Sequence, residues 1–140
     1  MVATDASSSG GGVAISPPVT FEQMSGFFPV CYFKGRDDLA SADYRQQLET
    51  VMSGCVFPSS FGWRWKTDEH INVREMRALL VGIQRAVCRS RSALDSRHIC
   101  LVDNTAAVGA FTRGSSRNFV MNSLLRRSAS LFLATGGSAD

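Results

Sequence analysis

At 140 residues, with 44% hydrophobic and 19% charged positions, the chain has the size and balance of one domain with a core of its own, and little room for two. No apolar run approaches the ~18 residues that a bilayer span needs, which excludes an integral helical membrane protein. The formal net charge of +3 is unevenly spread, with three basic against six acidic residues from Met1 to Trp63 and twelve against five from Arg64 to Arg127, an arginine-rich half that suits a polyanion such as nucleic acid or, more plainly, a solvated helix face.

In chain order, Val2-Ala3-Thr4 reads as a strand ending at Asp5. No basic segment and apolar stretch of a signal peptide open the chain, so an intracellular location, in cytoplasm or nucleus, is expected. The cysteines at 31, 55, 88 and 100 lack CxxC spacing and read as buried thiols of a reducing compartment. Ser7 to Gly12 is a flexible turn, and Val13 to Ser16 returns beside the first strand to make a hairpin. The glycines also invite a phosphate cradle, but the closing Gly-Lys-Ser/Thr is absent and no helix follows. Pro17-Pro18 ends the hairpin. Residues 17–60 read as an insertion between sheet strands, with a short strand at Val30 to Phe33 and a helix from Asp37 or Asp38 that Gly54 stops. Phe61 to Lys66 alternates large aromatic with small or basic residues, the period of a strand with one buried face.

The strongest helix follows, His70 to Val87. Met76, Leu79, Leu80, Ile83 and Val87 recur at three- and four-residue steps as one apolar face, with Arg74, Arg77 and Arg85 off it. Glu75 has two readings: the far half of a capping box begun by Asn72, or a first-turn carboxylate pointing toward the sheet end that carries Asp5. Arg85, Arg89, Arg91 and Arg97 form a basic cluster at the helix end. Ile99 to Val102 is a short apolar run of the kind buried on both faces of a sheet, as a central strand would be, and it stops at Asp103. An acid at the carboxyl end of a central strand sits where open α/β sheets place their sites, although it could equally be a helix cap. Asn104 or Thr105 caps a helix from Ala106 to Phe111 that Gly114 closes, and Thr112 to Arg117 is a polar loop. A last helix, from about 118 to 134, turns Phe119, Val120, Leu124, Leu131 and Phe132 inward and Arg126-Arg127 outward, and ends at Gly136-Gly137.

Three blocks, Thr4-Asp5-Ala6-Ser7 with its glycines, His70-Ile71-Asn72-Val73-Arg74-Glu75-Met76-Arg77-Ala78-Leu79, and Val102-Asp103-Asn104-Thr105-Ala106-Ala107-Val108, carry a resemblance. In that order the chain resembles the ribonuclease H domain of retroelement polyproteins, most closely the kind found in DIRS-like retrotransposons. The resemblance implies a single α/β domain over residues 1–140, with a ribonuclease H-like mixed sheet whose first three strands are antiparallel, helices on its faces, and Asp5, Glu75 and Asp103 meeting at one end as catalytic and metal-binding residues. Crowded carboxylates repel one another and make sense mainly around cations, and hard oxygen donors suit Mg2+ or Mn2+. The implied activity is endonucleolytic hydrolysis of the RNA strand of RNA–DNA hybrids, inside a larger polyprotein with a reverse transcriptase. Asn104, Ser115 and Ser116 are candidate readers of 2′-hydroxyls, and Arg85, Arg89, Arg113 and Arg117 candidate holders of phosphates. The family carries a fourth acid after a further strand, and here only Asp140 remains. The domain is therefore expected to lack the last strand and helix, and the competing reading is a non-catalytic nucleic-acid-binding remnant with an incomplete metal site.

Overall fold

Alternation decides the first element: Val2, Thr4 and Ala6 point one way and are buried, Ala3 and Asp5 point the other, and the segment forms strand β1, Val2–Ala6. A computed structural model describes residues 1–17, 53, 55–88 and 97–139. Strand β2, Gly10–Ile15, returns antiparallel to β1 with Val2 opposite Ile15 and Asp5 opposite Gly12. The turn is tighter than the sequence suggests, because serines build it. The Ser7 hydroxyl accepts the N–H groups of Ser9 and Gly10 at 3.3 and 3.1 Å, which frees the glycines to belong to the strand.

Their lack of side chains is used there. Strand β3, Ser59–Arg64, pairs antiparallel with β2, and a Cβ on Gly11 would lie 2.5 Å from the Trp63 ring. The Trp63 and Trp65 indoles thus occupy the space above Gly11. The strand starts two residues before the expected Phe61 and stops short of Lys66, since Trp65 leaves the ladder for the hairpin turn. Its backbone N–H donates to the Ser9 carbonyl and its indole N–H to the Ser7 carbonyl, both at 3.1 Å.

The chain then forms helix α1, Ile71–Cys88, short strands β4, Arg97–His98, and β5, Cys100–Val102, helices α2, Thr105–Arg113, and α3, Phe119–Thr135, and strand β6, Ser138–Ala139. Strand β5 runs parallel to β1, with Val2 opposite Cys100 and Thr4 opposite Val102. The described sheet has the order β3-β2-β1-β5. It is an α/β arrangement with a mixed, mostly antiparallel four-stranded sheet, its first three strands antiparallel as expected, and three fully described helices. One expectation is corrected. Strand β5 is an edge of this sheet and only partly buried, since among the described residues β1 alone pairs along it. Helix α3 ends at its Gly136 cap as expected, and β6 then pairs parallel with β4.

Helix α1 packs on two sides. Val73, Met76, Leu80, Ile83 and Val87 share a core with Ala107 and Ala110 of α2 and Met121, Leu124 and Leu125 of α3, while the sheet side contributes Val2, Val13 and Ile15. The expected stripe on α1 is buried throughout, but so are Arg74, Glu75 and Gly82. In α3 the inward set is Met121, Leu124, Leu125 and Ser128, whereas Phe119 is 82% exposed. Residues 121, 124, 125 and 128 follow the three- and four-residue steps that continue to Leu131 and Phe132, and 119 and 120 fall outside that phase. Arg126 and Arg127 are exposed as expected.

Gly82 is where the helix crosses the sheet. A Cβ there would sit 2.7 Å from Val2 Cγ1 and 3.0 Å from Thr4 Cγ2, both on the strand that carries Asp5. Gly82→Val is expected to lower stability by about 1–3 kcal/mol through overpacking, despite replacing a poor helix former. Thermal unfolding followed by circular dichroism checks this.

By contacts, the chain divides into Met1–Ile15 with Pro58–Asp140, and Ser16–Phe57. The second unit spans nearly the segment read as an insertion, and its expected strand and, apart from the helical Ser53, its expected helix lie outside the described residues. Among the described residues no helix is long and apolar enough to cross a membrane.

Candidate functional site

Register brings the first two acids together. Asp5 follows Thr4 in β1, Asp103 follows Val102 at the end of β5, and Thr4 and Val102 are paired neighbours in a parallel ladder. The two carboxylates therefore leave the sheet at the same end. Helix α1 lies across β1 and β2 and carries Glu75 to that end. One carboxylate oxygen from each of Asp5, Glu75 and Asp103 lies within 4.8 Å of the other two.

The three acids are not equivalent. Asp5 and Asp103 are exposed, whereas Glu75 is 2% exposed. Its Oε1 accepts the Ala6 backbone N–H at 3.1 Å, and its Oε2 is buried with no hydrogen-bond donor. Burial raises the Glu75 carboxyl above the ordinary carboxylate range, the Ala6 N–H opposes that rise, and the charges of Asp103 and Asp5 reinforce it. A buried carboxylate oxygen without a donor is uncommon and asks for a partner. The donor set, three hard anionic oxygens, fits a hard divalent cation such as Mg2+ or Mn2+.

The capping-box reading of Glu75 is corrected by the same geometry. Ile71 opens α1, so Glu75 lies in its second turn, and the ring of His70 takes the capping part, its Nδ1 accepting the Asn72 N–H at 3.2 Å. The Asn72 side chain is used elsewhere: its Oδ1 accepts from Asn104 Nδ2 at 3.1 Å. Asn104 caps α2 by accepting the Ala107 N–H at 2.9 Å, as one of the two expected caps, and Gly114 closes that helix at φ 67°. The amide proposed as a 2′-hydroxyl reader is thus engaged in fixing the residue after Asp103 to the start of α1.

The other candidates divide between two places. Arg113, Ser115, Ser116 and Arg117 line a cleft of about 840 Å3 together with His70 and Asn118, at the amino-terminal ends of α1 and α3. No acidic side chain lines it, and neither arginine has a carboxylate partner among the described residues. Asn72 forms part of the wall, so the cleft adjoins the acids through the Asn72–Asn104 bond. Within it, the Ser116 hydroxyl accepts the Asn118 N–H at 3.2 Å, which ties it into its own loop, whereas Ser115 is exposed. Arg85 lies apart, ten residues beyond Glu75 and so roughly 15 Å along the helix, stacked over the Phe61 ring at 5.1 Å. Arg89 and Asp140 lie outside the described residues.

One side chain departs from its expected place. Arg74, placed off the apolar face by periodicity, is 6% exposed. It donates to the Ser8 carbonyl at 2.8 Å and pairs with Asp68 at 2.6 Å. Its place directly beside a candidate ligand is the signal that could have exposed it. No protein-family model, curated protein or solved structure matches the chain.

Proposed function

We propose that the chain is a ribonuclease H-like domain whose activity is metal-dependent endonucleolytic hydrolysis of the RNA strand of RNA–DNA hybrids, in a retroelement polyprotein with a reverse transcriptase. The observation that carries the reading is Glu75, with a buried, donorless carboxylate oxygen and a carboxyl within 4.8 Å of two others. The mixed sheet with β1, β2 and β3 antiparallel and β5 parallel to β1 supports the same reading.

Asp5, Glu75 and Asp103 would hold Mg2+ or Mn2+. With two such ions bound, one would supply an activated water and the other would stabilise the departing 3′ oxygen during in-line displacement at phosphorus. Glu75 is fixed by the Ala6 N–H and by its surroundings, so it presents one oxygen from a rigid position. Asp5 and Asp103, being exposed, face the side from which a phosphodiester can approach. Arg113 and Arg117 hold phosphates of the duplex in the cleft, without regard to base sequence. The exposed Ser115 hydroxyl is the group available to meet a 2′-hydroxyl.

A second reading, nucleic-acid binding without cleavage, draws on the cleft alone, whose arginines need no metal. Incubating a labelled RNA–DNA hybrid with the protein and Mg2+ separates the two. Cleavage that EDTA stops and Asp103→Asn abolishes supports the nuclease. Salt-sensitive binding with no product in Mg2+ or Mn2+ supports the binding module.

A further inference from the structure

Helix α1 grips the β1–β2 hairpin with two consecutive residues. Glu75 accepts the Ala6 N–H, and Arg74 donates to the Ser8 carbonyl two residues further along the same turn. Asp5 is the residue immediately before Ala6. The position of its carboxylate relative to that of Glu75 thus depends on how firmly the hairpin is held to the helix, and Ser8 is the outer of the two holds.

Arg74 is an expensive way to hold one backbone carbonyl and one surface carboxylate. Its guanidinium is buried, its Nε has no partner, and its ion-pair partner Asp68 is fully exposed, with a side chain at 101% relative accessibility. A pair with so exposed a carboxylate contributes little to stability. A buried guanidinium is costly to desolvate, and apolar replacements of buried ion pairs are often neutral or stabilising. Arg74 is therefore poorly explained as a stabilising residue. Its remaining distinction is where its donor points.

We propose that Arg74 is a positioning residue for the acidic site, clamping the hairpin at Ser8 so that the Asp5 and Glu75 carboxylates stay close enough to share a divalent ion. This rests on the metal reading above. No atom of Arg74 touches the ion or substrate; it acts through the hairpin backbone. A second support for the same turn comes from Trp65, whose two bonds reach Ser7 and Ser9, so losing Arg74 loosens the hairpin without releasing it.

The experiment compares wild type, Arg74→Met, Arg74→Lys and Glu75→Gln as full chains. It combines Mn2+ titration by calorimetry, thermal unfolding, and hydrogen exchange of the Ala6 amide without metal. Arg74→Met is expected to unfold no earlier than wild type, to bind Mn2+ about tenfold more weakly, as loss of an orienting partner does, and to exchange the Ala6 amide faster. Arg74→Lys, which keeps one donor near Ser8, restores part of the affinity. A folded Arg74→Met with wild-type Mn2+ affinity and wild-type Ala6 exchange would overturn the assignment while leaving the metal site standing. Wild type that binds no Mn2+, indistinguishable from Glu75→Gln, would overturn the metal reading and this assignment with it.

Discussion

Glu75→Gln is expected to make the metal-free protein more stable and the metal-loaded one inactive. In the metal-free state the Glu75 carboxyl is raised by burial, with Asp103 and Asp5 adding to the rise. An acid whose folded pKa lies above its unfolded value of about 4.5 carries no penalty below that value. The penalty grows as pH rises and is complete above the folded pKa. Gln removes it. Its carbonyl still accepts the Ala6 N–H, and its amide turns toward two carboxylates instead of adding a third. The variant should therefore unfold at a higher temperature than wild type at neutral pH, with the advantage fading as pH falls toward 4.5. Divalent ions reverse the order, because wild type gains binding energy that Gln cannot. Cleavage should fall by roughly 100-fold or more, beyond the loss typical of removing an outer partner of a metal ligand. Thermal melts across pH with and without Mn2+ test the first half, and hybrid cleavage the second. A variant less stable than wild type without metal would contradict the account of Glu75.

Removing the two cleft arginines should do the opposite: leave the ion site intact and release the nucleic acid. For Arg113→Gln with Arg117→Gln, affinity for an RNA–DNA hybrid should drop by about tenfold per arginine, since each loses a charge-assisted contact. The slope of log affinity against log salt should shrink by about 1.8 if each holds one phosphate. Mn2+ affinity should not change, because neither side chain touches Asp5, Glu75 or Asp103. Both arginines are exposed and without carboxylate partners among the described residues, so the fold should tolerate the change. An unchanged salt slope would remove the cleft from the interface.

The local signals in the sequence translated well where the physics is local. The alternation of Val2 to Asp5, the helical period from Met76 to Val87, the Asn104 cap and the Gly114 stop each depend on a few neighbouring residues, and they place the three acids on their elements. What was not legible depends on partners far away in the chain. Arg74 looks like a surface residue until Ser8, 66 positions earlier, supplies a carbonyl. Glu75 imitates a capping residue until Ala6 claims it. Gly11 looks like part of a loop until the Trp63 ring fills the space above it. Phe119 and Val120 are apolar enough to be counted inward, and only the phase set by Met121, Leu124 and Ser128 against α1 turns them out. The proximity of the acids could not be read from any one segment, because it comes from the parallel pairing of β1 with β5, whose sequences say nothing about each other.

Crystals of the protein soaked in Mn2+ and measured near the manganese absorption edge put the central claim to its most direct test. The account predicts an anomalous peak ligated by Asp5, Glu75 and Asp103, with Glu75 contributing its donorless oxygen, and no such peak in Glu75→Gln. Crystals that hold Mn2+ elsewhere, or none at millimolar concentration, with the three carboxylates turned away from one another, would contradict it.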